Sequence, residues 1–173
     1  FPMAIRSALR QAPRVILIGE VRDTETASFC LHAAETGHLV FSTLHTTNAN
    51  QTLERLLGFF PAMAQGQALL QLSLNLRAII SQRLVPKAGG GRVVALEILI
   101  NTSRCAELIA KGDVGGLKEV MLKGVNEGMQ TFDISLYRHV QDGLVTEEDA
   151  LRYADSANDL KLRLRGLGGS GFA

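Results

Sequence analysis

The chain has 173 residues, with 46% hydrophobic and 20% charged side chains and a formal net charge of +1. That length holds one domain or one and a half, and the near-neutral balance gives no basic footprint for nucleic acid or an anionic membrane as main partner. There is no Trp and aromatics are only 5%, so a core must be built on Leu, Ile, Val and Ala.

No apolar run approaches the ~20 residues of a membrane-spanning helix; Val15-Ile16-Leu17-Ile18 is short and lies between Arg14 and Gly19-Glu20. Cys30 and Cys105 are far apart, with no CxxC spacing. They exclude a cysteine zinc site, are expected as buried small hydrophobes, and point to a reducing compartment. Arg6, Arg10 and Arg14 read as a solvated helix face. The start at Phe1-Pro2 rather than Met, with no secretory signal, is read as that of a piece of a longer protein.

In chain order, residues 3–11 have helical apolar spacing, and Pro13 ends that helix because the residue before proline avoids the α region. Val15 to Ile18 is a continuous apolar run, expected as a strand buried on both faces. Thr24 opens a helix to about Glu35, stopped by Gly37. Leu39 to Leu44 is the next strand. Asn50 or Thr52 caps a helix to Phe60, before Pro61, and residues 65–82 read as one long amphipathic helix. This alternation predicts an α/β fold with a parallel sheet.

Beyond it, 83–85 and 93–98 read as strands of a hairpin. The glycines at 89–91 are its turn: a phosphate-binding loop needs GxxxxGK[ST] between strand and helix, and the chain contains none. Helices are expected over 103–111, 114–126, 131–142, 147–154 and 157–165, with Thr131 and Thr146 as N-caps. Leu117, Val120, Met121 and Gly124, and Phe132, Leu136 and Val140, fall on helical faces suited to core packing. The division is therefore 1–100, an α/β part; 101–165, an all-helical part; and 166–173, a flexible tail.

Two segments carry candidate chemistry. VILIGE (15–20) ends a buried strand in a carboxylate, at the sheet edge where α/β folds bind ligands. Glu20 is a candidate general base, although strands also end in Glu for solubility. TGHLVFSTLHT (36–46) holds His38 and His45, seven apart. An odd spacing on one strand points them to opposite faces, so they are not expected to share a metal. His45 would lie at the same edge as Glu20 if the two strands are parallel neighbours, and could donate to a phosphate oxygen. It could equally be a structural histidine. His38 would sit at the other edge.

These segments resemble the secretion and type IV pilus ATPase superfamily, in its retraction (PilT/PilU) branch. LRQAPRVILIGEVRD (9–23) is similar to that family's Walker B segment, AAETGHLVFSTLHTTNA (33–49) to its His box, and LSLNLRAIISQRLVP (72–86) to the end of its nucleotide domain. GMQTFD (128–133) and DGLVTEEDAL (142–151) resemble its carboxy-terminal signature. The tracts NANQTLERLLGFFP and ADSANDLKLRLR look closer to the PilU side.

The resemblance implies the carboxy-terminal part of a RecA-like, cytoplasmic homo-hexamer driven by ATP and Mg²⁺, with the Walker A loop elsewhere in the protein. It also implies twitching motility as the process, an inner-membrane platform protein as partner, and a PilT-like motor as a further one. Glu20 would be the Walker B glutamate and His45 the His-box residue near the γ-phosphate. Gly19 stands where a general Walker B has an acidic residue, which is this family's own pattern; no metal ligand is assigned. Arg14, where the family usually has an acidic residue, is expected as a surface change. Arg22 either assists at the nucleotide or a subunit boundary, or simply pairs with Asp23 or Glu25. The rivals are another secretion or pilus-extension ATPase, a DNA translocase, and a non-catalytic accessory subunit. The extension branch commonly carries a four-cysteine insertion that residues 83–100 lack.

Overall fold

The computed structural model describes residues 13–167. The helix expected over 3–11 and most of the expected tail lie outside them. The first strand, β1 (Val15–Ile18), leads through helix α1 (Thr24–Glu35) to β2 (Leu39–Ser42), and the two strands pair in parallel with Ile18 opposite Ser42. The start of α1 is fixed by Asp23, whose carboxylate accepts from the Thr26 amide at 2.8 Å and satisfies one of the helix's free N–H groups. Gly37, at φ 95°, supplies the left-handed turn that lets the chain leave α1 for β2.

Strand β1 is covered on one face only. Ile16, Ile18 and Ala33 form a buried cluster with Phe29, Cys30 and Val40, whereas Val15 and Leu17 are 53% and 76% exposed. The two-sided burial expected of this run is thus corrected: α1 packs against one side of the pair, and the other side is open among the described residues. Cys105 is buried and Cys30 half-buried, and both are free thiols. Burial pushes the Cys30 thiol up to about 11, so it is unreactive at neutral pH.

Helices α2 (Ala49–Gly58) and α3 (Ala62–Asn75) follow, the first capped by Asn48 rather than by Asn50 or Thr52. The single helix expected over 65–82 is not formed. Its last part belongs to β3 (Ala78–Pro86), which pairs antiparallel with β4 (Arg92–Ile100) along its whole length. Asn75 and Leu76 end the helix, and Asn101 pins the corner by donating from Nδ2 to the Ser73 and Leu76 carbonyls. The hairpin turn is as expected, with Gly89, Gly90 and Gly91 all at positive φ.

Residues beyond the hairpin form α4 (Ser103–Ala110), α5 (Leu117–Lys123), a 3₁₀ turn at Val125–Glu127, α6 (Phe132–Gln141), α7 (Glu147–Tyr153) and α8 (Ala157–Leu164). The helix expected over 114–126 is cut at Gly116 and Gly124 into α5 and the 3₁₀ turn. Thr131 and Thr146 do cap α6 and α7.

These helices rest on one face of the hairpin. Successive residues of a strand point to opposite sides, so Ile79, Ser81 and Val85 of β3 and Ala95, Glu97 and Leu99 of β4 are buried, while Ile80, Leu84 and Val94 are exposed. Leu99 and Ile79 join Leu53, Leu72, Ile109, Leu117 and Met121 in one core. Val85 and Ala95, nearer the turn, join Phe132, Leu136, Val145, Ala150 and Leu160 in a second. Arg83 shares this inner face. Its guanidinium lies 4.0 Å from the Phe132 ring centroid and donates to the Tyr153 carbonyl and to Asp155.

Leu136 is fully buried on the helical face that the spacing indicated. Its truncation to alanine should destabilise the protein by about 2–5 kcal/mol, measured by urea unfolding. A loss below about 1 kcal/mol would contradict the enclosed packing seen here.

Candidate functional site: the carboxyl edge of the parallel strands

The backbone ladder runs on past the two strands. The Val21 amide donates to the Thr43 carbonyl at 3.1 Å, and the Thr43 hydroxyl donates to the Gly19 carbonyl at 2.5 Å. Both loops leaving the sheet are therefore held side by side. Val21 turns inward and is 4% exposed, which leaves Glu20 on the rim.

Three side chains meet there. Glu20 Oε2 accepts from Arg22 Nε at 2.5 Å, and Glu20 Oε1 lies 3.3 Å from His45 Nε2. The Glu20 side chain is 21% exposed, against 76% for Arg22 and 84% for His45. The carboxylate is thus half enclosed, and its two nitrogen partners stand in solvent. Such exposed ion pairs contribute little stability; their value is positional. The arrangement sets a proton acceptor beside two donors suited to an anion.

The sequence-derived candidates fall as follows. Glu20 and His45 lie in the loops that follow two adjacent parallel strands, at one edge. Arg22 pairs with Glu20 rather than with Asp23 or Glu25, Asp23 being the cap of α1. His38 is at the other end of β2, half-buried, with Nδ1 3.1 Å from the Ala33 carbonyl and 3.2 Å from the Thr36 hydroxyl. The Leu39 amide next to it binds the Arg14 carbonyl, and the Arg14 side chain is exposed.

The edge fits a phosphate better than a bare cation. Arg22 and His45 offer exposed nitrogen donors, whereas Glu20 is the one acidic side chain seen at their junction. Among the described residues no group of three or more His, Cys, Asp or Glu could hold a metal ion. These residues alone do not make a magnesium site, since that ion needs several oxygens around it.

One polar centre was missed in the sequence. Glu97 lies in β4, 2% exposed, and accepts from the Ala49 amide at 2.7 Å, at the first residue of α2. Near it, Asp155 binds Arg83 at 3.0 Å and Lys118 at 3.6 Å. Asp133, 8% exposed, accepts from the Asp155 and Ser156 amides. An open cavity of about 270 Å³ lies among Asn48, Asn50, Glu97, Lys118, Met121 and Asp155. The available signal was one carboxylate inside VVALEILI, a run otherwise wholly apolar.

Desolvation pushes the Glu97 and Asp133 carboxyls above the ordinary range, against the pull of the amides that donate to them. A carboxyl raised by folding binds its proton more tightly in the folded state. Its stabilising contribution is complete below the unfolded pKa and is lost as pH rises through the folded one. Relative to Asp133→Asn, wild-type unfolding free energy should therefore fall as pH rises from about 4 to 7. Urea titrations at several pH values check this, and a difference that grows with pH would contradict it.

Comparison with known proteins gives the family. Residues 1–121 match the model of the family described as Type II/IV secretion system protein, and the chain belongs to that family. It is 52% identical over 166 residues to the type IV pilus ATPase PilU of Pseudomonas aeruginosa, covering 95% of this chain and 44% of that protein. It is 47% identical over 150 residues to the pilus retraction ATPase PilT of the same organism, covering 87% of this chain and 44% of that protein. A crystal structure of the pilus retraction motor PilT with bound ADP superposes with a TM-score of 0.79 at 44% identity, covering 88% of this chain and 43% of that one. The chain thus spans less than half the length of these relatives.

Proposed function

We propose that the whole protein is a hexameric ATPase that powers type IV pilus retraction and twitching motility, and that this chain supplies its Walker B and His-box edge. The observation that carries the reading is the meeting of Glu20, Arg22 and His45 at the carboxyl edge of two adjacent parallel strands. Residues 1–100 are assigned to the carboxy-terminal part of a RecA-like core, residues 101–165 to a helical subdomain, and 166–173 to a tail.

Bound ATP, with Mg²⁺, supplies the phosphoryl group and its leaving group. Glu20 orients the attacking water and takes its proton. Its position between two donors keeps the carboxylate aimed along the edge, which matters because phosphoryl transfer depends mainly on placement and electrostatics. His45 donates from Nε2 to a phosphate oxygen. Arg22 restrains Glu20 and adds positive charge at the nucleotide or at a subunit boundary.

A retraction motor is favoured over a pilus-extension or secretion ATPase for two reasons. Similarity to PilU and PilT runs on through the helical region, and the hairpin 78–100 has no cysteine. The protein would work in the cytoplasm against an inner-membrane platform protein, alone or beside a PilT-like motor, with no nucleic acid partner. No helix among the described residues is long and apolar enough to cross a membrane.

In the full-length protein, Glu20→Gln should lower steady-state ATP turnover by ~10²-fold or more while nucleotide binding persists. Near-normal turnover would assign Glu20 to structure. His45→Ala should reduce turnover far more than it reduces unfolding free energy, and equal losses in both would favour a packing role. Residues 1–173 alone, lacking GxxxxGK[ST], should show no ATP turnover in the same assay, and robust hydrolysis by the pure polypeptide would contradict this.

A further inference from the structure

We infer that Glu97 is the positioning residue for the His45 loop: its buried carboxylate clamps the start of α2 and so holds residues 43–48 against the nucleotide edge. The inference rests on the ATPase reading for its use, but the clamp itself rests on geometry alone.

The loop between β2 and α2 is six residues long, and His45 lies in its first half. Its near end is tied to the sheet through Thr43, by the bonds to Gly19 and Val21. Its far end passes Asn48 into α2. There the Asn48 side chain caps the Gln51 amide at 2.9 Å, and the Thr46 and Thr52 hydroxyls meet at 2.7 Å. These contacts lie within the segment and α2, which is itself seated on the hairpin by Leu53 packed with Ile79 and Leu99. The Ala49 amide is different. As the first N–H of a helix it has no partner inside α2, and it donates instead to Glu97 Oε1, 48 residues away on the other sheet.

That bond is enclosed. Ala49 is fully buried and Glu97 is 2% exposed, so an amide left without this acceptor would bear a desolvation cost. A carboxylate is also suited to the positive end of a helix. Glu97 is placed in turn by β4, where it stands opposite Ser81, and it shares the cavity of Asn48 with Lys118 and Asp155. The loop that carries His45 is therefore fastened at one end to the parallel strands and at the other to the hairpin on which the later helices rest. Movement of that hairpin relative to the parallel strands would reach His45 through this bond.

The test uses the full-length protein and two readouts. Glu97→Met keeps the side-chain length but removes the acceptor, and Glu97→Gln keeps an amide oxygen in its place. In Glu97→Met, hydrogen–deuterium exchange over residues 43–50 should quicken about tenfold while exchange over 132–140 is unchanged. ATP turnover should fall tenfold or more, with the KM for ATP within about threefold, as expected for a misplaced rather than a missing group. Glu97→Gln should restore both to within about threefold.

In a variant that still folds, exchange quickened equally over 43–50 and 132–140 overturns the clamp, as does unchanged exchange over 43–50. A loosened loop with normal turnover overturns the positioning role. Should Glu97→Met not fold, Ala49→Pro removes the donor at a helix position that tolerates proline, and the same outcomes apply. Should the wild-type protein not hydrolyse ATP, the function proposed above fails, and the exchange readout by itself still decides the clamp.

Discussion

Parallel pairing of β1 with β2 is the constraint on which the candidate site depends. Two parallel strands need a crossover to join them, and α1 provides it. Because both strands then run the same way, their carboxyl ends finish at one edge. Glu20 follows β1 by two residues and His45 follows β2 by three. An antiparallel pair would have put them at opposite ends of the sheet. The extra bonds from Val21 and Thr43 carry the alignment past the regular strands into the loops. It is there, and not in the strands, that the side chains meet.

The hairpin of β3 and β4 is the second platform, and it differs in kind. Its inner face is mixed, with Ile79, Val85, Ala95 and Leu99 beside Ser81, Arg83 and Glu97. The apolar members seat the helices beyond residue 100 in two clusters. Two of the polar members have side-chain partners: Glu97 takes the Ala49 amide, and Arg83 takes Asp155 and the Tyr153 carbonyl; Asp133, on α6 above them, takes the amides of Asp155 and Ser156. Buried polar groups left without partners would cost far more than they contribute when paired. Removing one partner of these pairs would therefore destabilise the seating of the helices on the hairpin.

The two platforms carry opposite electrostatic styles. At the carboxyl edge of the parallel strands the nitrogen donors are exposed, so their pairing with Glu20 is screened by solvent. In the hairpin network the charges are sheltered and committed to local partners. Exposed pairs are weak and screened by salt, whereas enclosed ones hold their geometry more firmly. Asn48 and Ala49 stand where the two styles adjoin.

By itself the sequence determined many of the local elements and named the candidate site residues. The alternation of apolar runs and capped helices specified β1 and α1 to the residue, and β2 and α2 with ends displaced by two to four residues and a different cap for α2, because burial period and capping chemistry act over a few positions. Thr131 and Thr146 were legible as caps for the same reason, and VILIGE and TGHLVFSTLHT named Glu20 and His45. Tertiary structure alone decided the rest. Residues 78–82 have apolar spacing compatible with a helix, and as a strand they put Ser81 on the inner face. The sequence therefore marked only 83–85 of β3 as strand, and pairing with β4 selected the rest. The open face of β1 depends on what packs against it, and Arg22 chose Glu20 over its sequence neighbours through the fold of the rim. Glu97 looked like an interruption of an apolar strand. Its partner lies 48 residues away, and a hydrogen bond across that separation is written in the packing of two sheets and in no local pattern.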